Sequence, residues 1–153
     1  MMPDLLRYQT GTSTERDIRE HLGACDAHFV PPLRERVDID EYARKLAERA
    51  LTIEAWHDEV LVGLVAAYVS ASGDACFVSN VSVLPEFQGR GIASALLANL
   101  ERHPACANAR SVQLEVSKDS VDGVRLYERV GFQVTGARDD QIVMQYTRNV
   151  GET

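Results

Sequence analysis

The segment Val81-Ser82-Val83-Leu84-Pro85-Glu86-Phe87-Gln88-Gly89-Arg90-Gly91-Ile92-Ala93-Ser94 joins an apolar run to a helical pattern through small residues. A helix beginning there offers a pyrophosphate its first-turn N–H groups, which lack intrahelical partners, and the positive end of its dipole. Gly89, Gly91 and Ala93 let the backbone approach such a group closely, and Arg90 adds a cation. Two other phosphate loops are excluded. No GxxxxGK followed by Ser or Thr occurs, and a GxGxxG fingerprint would need Gly or Ala where Ser94 stands. His21 and His28 could share a helical face, but no further ligand follows them, so no metal site is expected. Gly11-Thr12-Ser13-Thr14-Glu15 misses the GxSxG nucleophile elbow at its last position. Cys25, Cys76 and Cys106 are odd in number and show no CxxC spacing, so they read as small buried hydrophobes rather than disulfide partners, zinc ligands or nucleophiles.

The elements that must hold this turn follow from periodicity. Leu5–Gln9 is expected as a first strand, ended by Gly11, and Ser13 or Thr14 as the N-cap of a helix carrying Ile18, Leu22 and Cys25. Phe29-Val30-Pro31-Pro32-Leu33 interrupts it. Asp38-Ile39-Asp40-Glu41 opens a second helix with Ile39, Tyr42, Ala43, Leu46 and Ala47 on one face. From Leu51 the period changes: Leu51, Ile53 and Ala55 alternate with polar neighbours, Asp58-Glu59 turns the chain, and Val60–Val69 is apolar enough to be buried on both faces. Cys76–Leu84 makes a third strand of this antiparallel group, stopped by Pro85. After the glycine turn, Ile92, Leu96, Leu97 and Leu100 line a helix that leads to a strand at Ser111–Val116. Ser120 is placed to cap a last helix bearing Val121, Val124, Tyr127 and Val130, closed by Gly131, and Gln141–Thr147 is the final strand.

Composition bounds the class. The 153 residues, 45% hydrophobic and 25% charged, fit one globular domain over 1–153, with 148–153 expected as a loose tail and no repeat or linker within. A formal net charge of −7 repels nucleic acid and anionic membranes, so neither is expected as a partner. No run approaches the roughly 18 apolar residues of a membrane span, and Met1–Thr10 lacks a basic start and apolar stretch, so a cytoplasmic protein is expected.

Gln88-Gly89-Arg90-Gly91-Ile92-Ala93 resembles the (Gln/Arg)-x-x-Gly-x-(Gly/Ala) motif of the GNAT superfamily of N-acetyltransferases, and Leu126-Tyr127-Glu128-Arg129-Val130-Gly131-Phe132 its later Leu-Tyr-x-x-x-Gly-Phe motif. The resemblance runs from about Leu51 to Phe132; the first fifty residues match in outline. It implies an α/β fold, a twisted mixed sheet antiparallel in its first half with helices on both faces. It also implies acetyl-coenzyme A as donor: the pantetheine arm against the backbone of Val81, Ser82 and Val83, and the pyrophosphate on Gln88, Gly89, Arg90, Gly91, Ile92, Ala93 and Ser94. Tyr127 then matches the general acid that protonates the departing thiolate, against the plainer reading of a core aromatic beside Val124 and Val130. Glu115, twelve residues earlier, occupies the place of a Glu found in some peptide and ribosomal-protein N-terminal acetyltransferases; the alternative is a strand charge paired with Lys118 or Arg125. Ser120 stands where many members carry an Asn that contacts the cofactor, and Gly123 where they carry Ala. Ser79, Asn80 and Ser82 can orient a water but are poor bases.

The expected reaction is acetyl transfer to a primary amine of a small molecule or peptide by direct attack in a ternary complex, without a metal. The acidic surface favours a cationic acceptor. Arg36, Asp38, Asp40 and Tyr42 fall in the region that borders the acceptor, with a helix cap and solvated face as the plainer account. The other readings kept open are a non-catalytic acyl-coenzyme A module or partner subunit, and a nicotinamide oxidoreductase. Gln141–Thr147 is expected to offer an edge for a homodimer.

Overall fold

The computed structural model describes residues 5–147; the expected tail at 148–153 lies outside the described residues. Seven strands form one sheet in the order β1-β2-β3-β4-β5-β7-β6: β1 Arg7–Thr10, β2 Leu51–His57, β3 Val60–Val69, β4 Ala75–Val83, β5 Ser111–Ser117, β6 Gln133–Arg138 and β7 Gln141–Thr147. Every neighbouring pair is antiparallel except β4 with β5, so the mixed sheet expected from the sequence is present.

Four helices cover it. Helix α1 (Glu15–Cys25) starts at Thr14, whose hydroxyl accepts from Asp17 N–H while the Asp17 carboxylate accepts from Thr14 N–H, a full capping box. Helix α2 (Ile39–Arg49) is capped by Asp38. Both bury their apolar stripes (Ile18, Leu22, Ala43, Leu46) on one sheet face, against Trp56, Leu61, Leu64 and Ala66. Helix α3 (Ile92–Arg102) packs on the other, where Ile92, Leu96 and Leu100 meet Ile53, Ala55 and Val65. The residues of α4 (Val121–Arg129) that face inward, Val124 and Tyr127, pack against that second core.

Three expectations are corrected. Strand β2 is buried on both faces rather than alternating, because Thr52, Glu54 and Trp56 lie beneath α1 and α2. Glu54 tolerates full burial because Thr12, Ser13, Thr52 and Trp56 all donate hydrogen bonds to its carboxylate. Burial works to raise its pKa, but those hydrogen bonds prevail and hold it below the usual range. Second, β6 was not visible in the sequence: all six of its residues are exposed, so no buried alternation marks it. Third, β7 lies between β5 and β6 and offers no edge; the edge strands are β6 and β1.

Helix α3 sits close on the sheet because Gly63 of β3 has no side chain. A Cβ there would lie 2.8 Å from Ile92 Cγ2 and 3.1 Å from Leu96 Cδ1, both on buried residues. Gly63→Ala is therefore expected to lower stability by about 1–3 kcal/mol through overpacking, read as a fall in Tm of a few degrees, and to displace the N-terminus of α3.

Candidate active site

Strands β4 and β5 are parallel neighbours for four residues only, Ala75–Val78 against Ser111–Leu114. At Ser79 the β3–β4 ladder carries a bulge: Ala67 pairs with Val78 and Ala66 with Asn80, leaving Ser79 as the extra residue. Beyond it β4 stays with β3 but has left β5, so one backbone edge of Ser79–Val83 has no strand partner. The gap is a cleft of about 790 Å³. The slip also reverses which face each side chain takes. Val81 and Val83 pair with Val65 and Gly63 on the α3 side, whereas Asn80 and Ser82 pair with Ala66 and Leu64 beneath α1 and α2.

Both ends of the open segment are fixed. Tyr42 donates its hydroxyl to Ser79 O at 3.0 Å and lies 2.7 Å from Ser79 Oγ, so α2 holds the bulge; burial is the main cause that raises the pKa of this phenol. At the far end Gln88 Nε2 donates to Val83 O at 3.2 Å. Tyr42 thus supports the cleft wall, Arg36 lines the cleft, Asp38 caps α2, and Asp40 pairs with Arg19 at 4.0 Å on the surface.

The glycine turn lies at the mouth. Gly89 and Gly91 both have φ +79°, a region costly for other residues, and nothing lies within 4 Å of where a Cβ would project from either. Gly91 is the N-cap of α3 and supplies no side-chain cap, while the first intrahelical bond returns from Ala95 N–H to Gly91 O. The N–H groups of Ile92, Ala93 and Ser94 therefore remain without intrahelical partners, in residues that line the cleft together with Gln88, Gly89 and Gly91. Space, free donors and the helix dipole fit a pyrophosphate. Arg90 is the motif residue that does not line the cleft: its guanidinium lies over the Phe87 ring at 4.8 Å and donates to Glu86 O.

Tyr127 and Glu115 lie across the cleft from Val81, Ser82 and Val83. Tyr127 is aimed by the end of its own helix. Phe132 N–H returns to Tyr127 O, Gly131 N–H to Glu128 O, and Gly131 at φ +109° reverses the chain, so that Phe132 meets Tyr127 edge-on at 5.9 Å. Burial pushes the Tyr127 phenol up to about 12. Glu115 pairs with Arg138 of β6 at 3.1 Å, not with Lys118 or Arg125; Lys118 pairs with Asp140. Ser120 occupies the N-cap position of α4 and lines the cleft, but its side chain makes no cap hydrogen bond, contrary to expectation. Its Oγ lies 2.7 Å from where a Cβ on Gly123 would be, so the small residue at 123 makes room for that hydroxyl.

The sequence had set His21 aside. It is buried behind the cleft-lining Ser82, with one ring nitrogen 2.9 Å from Leu61 O and the other 2.8 Å from Ser82 Oγ. Its position on the apolar face of α1, one turn from Cys25, was the available signal. Among the described residues no group of three or more His, Cys, Asp or Glu could hold a metal ion.

A turn with the donors and space a pyrophosphate needs, joined to an unpaired strand edge with a phenol across the gap, is an arrangement an acyl-coenzyme A would fit. The model of the acetyltransferase (GNAT) family matches residues 16–132. The chain belongs to this family of acyl-coenzyme A-dependent acyltransferases, whose donor is acetyl-coenzyme A. It is 35% identical over 83 residues to the spore coat polysaccharide biosynthesis protein SpsD of Bacillus subtilis (strain 168), covering 54% of this chain and 28% of that protein, so it spans under a third of that relative's length. Solved structures share the fold, among them the following two. The PaiA N-acetyltransferase of Thermoplasma acidophilum in complex with coenzyme A is 16% identical, with a TM-score of 0.73 over 93% of this chain and 99% of that one. The ribosomal-protein-S18-alanine N-acetyltransferase of Escherichia coli is 19% identical, with a TM-score of 0.70 over 97% of each chain.

Gly91→Ala tests the cradle. Strain at positive φ and a methyl projecting into the space in front of α3 are expected to weaken coenzyme A binding about tenfold or more by calorimetry. Affinity equal to wild type would remove the turn from the site.

Proposed function

We propose that this chain is an N-acetyltransferase that moves the acetyl group of acetyl-coenzyme A to a primary amine of a small molecule or peptide by direct attack in a ternary complex. The observation that carries this reading is that one cleft gathers the free N–H groups of α3, the open edge of β4 and the Tyr127 phenol. The backbone of Val81, Ser82 and Val83 pairs with the pantetheine arm, Gly89 to Ser94 hold the pyrophosphate, and Ser120 offers its uncapped hydroxyl to the cofactor. Arg90, over Phe87 at the mouth, adds positive field for the phosphates.

When bound, the donor supplies an activated acyl carbon with a thiolate leaving group. Tyr127 gives that sulfur its proton. Burial pushes the phenol up to about 12, so it stays protonated and keeps a proton to give as the thiolate forms in the cleft. Glu115, on the opposite lip with Asp119 and Asp122, attracts the ammonium and takes its first proton directly or through water. This acidic lip favours a cationic acceptor. Among the described residues no helix is long and apolar enough to cross a membrane, and none of the three cysteines is in a disulfide, which supports a cytoplasmic setting.

Coenzyme A release, read as free thiol over a panel of amines, tests the function. Tyr127→Phe is expected to lower kcat by about 10²-fold while coenzyme A binding is unchanged. Because the phenol stays protonated well beyond its ordinary value of 10, the wild-type rate is expected to show no loss from Tyr127 ionisation between pH 7 and 9. Coenzyme binding without release to any amine would instead identify a non-catalytic acyl-coenzyme A module.

A further inference from the structure

Besides Thr52 and Glu54, three buried polar side chains meet in the apolar layer at α1: His21, Asn80 and Ser82, 3%, 4% and 7% exposed. Their hydrogen bonds run in one direction only. His21 Nδ1 is 2.9 Å from Leu61 O, a carbonyl that can only accept, so Nδ1 carries the proton. Burial pushes the imidazole down to about 4, so the ring is neutral near pH 7 and Nε2 is bare. Nε2, 2.8 Å from Ser82 Oγ, therefore accepts the serine proton. Asn80 Nδ2, directed also at Leu64 O at 3.4 Å, donates to Ser82 Oγ at 2.8 Å. One lone pair of Oγ is left, on a residue that lines the cleft. An exposed serine turns its proton toward whatever arrives; Ser82 is held as an acceptor.

From this geometry we propose that Ser82 takes the proton lost by the amine as it attacks, while passing its own proton to His21. The inference rests on the acetyltransferase reading above and deepens it. Glu115 removes the first proton, from the ammonium; a second must leave when the nitrogen lone pair forms the C–N bond. In that step an N–H bond breaks, a new O–H bond forms at Ser82, the former Ser82 O–H breaks, and an N–H forms at His21 Nε2. The C–S electron pair goes to sulfur, which takes the Tyr127 proton. As the carbonyl re-forms and sulfur leaves, a nitrogen still carrying that proton would be an N-protonated amide, a far stronger acid than an imidazolium, so even a weakly basic buried histidine accepts its proton at that stage. The same low basicity returns that proton to water through Ser82 once product leaves, and water restores Tyr127. Asn80 is a positioning residue, fixing the Ser82 rotamer. The bulge at Ser79 is what turns Asn80 and Ser82 to this face.

The test uses the full chain as wild type, Ser82→Ala and His21→Gln, with kcat and KM from thiol release, coenzyme A affinity from calorimetry, and the ¹⁵N spectrum of the wild-type imidazole. Gln keeps an acceptor for the Ser82 hydroxyl but has no basic nitrogen. Both variants are expected to lose about 10²-fold in kcat with coenzyme A affinity kept within about twofold. His21→Gln with wild-type kcat would overturn the transfer to His21, and Ser82→Ala with wild-type kcat would overturn the whole path. The spectrum is expected to show a protonated Nδ1 and a bare Nε2. The opposite tautomer defeats the proposal whether or not either variant folds. Failure of the wild type to release coenzyme A with any amine would instead bring down the acetyltransferase reading beneath it.

Discussion

The parting of β4 from β5 after Val78 and Leu114 is the constraint on which the rest of this structure depends. Backbone N–H and C=O groups left in a sheet without partners are costly unless water or a ligand meets them. The fold accepts that cost over Ser79–Val83 and stabilises both ends of the segment, through Tyr42 at the bulge and Gln88 at Val83. One extra residue in β4 thus has three effects: it ends the parallel ladder, opens the cleft, and turns Asn80 and Ser82 toward α1.

Helix placement then follows from residues that take up no room or reverse the chain. Gly63 lets α3 approach the sheet, which fixes where its free N–H groups stand relative to the open edge. Gly131 ends α4 and brings Phe132 back against Tyr127, so the phenol is held by the same turn that closes its helix. Both motifs are therefore geometric devices before they are chemical ones: the first aims backbone donors, the second aims a side chain.

The interior of the cleft is electrically quieter than the surface around it. Burial raises the Tyr127 phenol and the Cys25 thiol and lowers the His21 imidazole, so each stays neutral over a wider pH range for one reason, the cost of placing charge away from water. Charges stand at its rim, with Glu115 paired to Arg138 and Arg90 laid over Phe87. In the proposed mechanism, Tyr127 gives a proton and His21 takes one, with affinities moved by the same surroundings.

The sequence by itself determined the helices, whose apolar stripes and caps are local signals, and the glycine turn and Tyr127, which are legible because each motif sits within a few consecutive residues. It also determined the antiparallel order of β2, β3 and β4, since short turns leave hairpins little choice. Only the tertiary structure decided the partner of Glu115, because Arg138 lies on an exposed strand with no pattern to announce it. Tertiary structure likewise decided the burial of Glu54, which needed donors from Thr12 and Ser13 some forty residues away in the chain. His21 read as an ordinary member of a helix face. Its bond to Ser82 depends on a one-residue slip between two strands, and a register shift leaves no periodicity in the sequence from which it could be read.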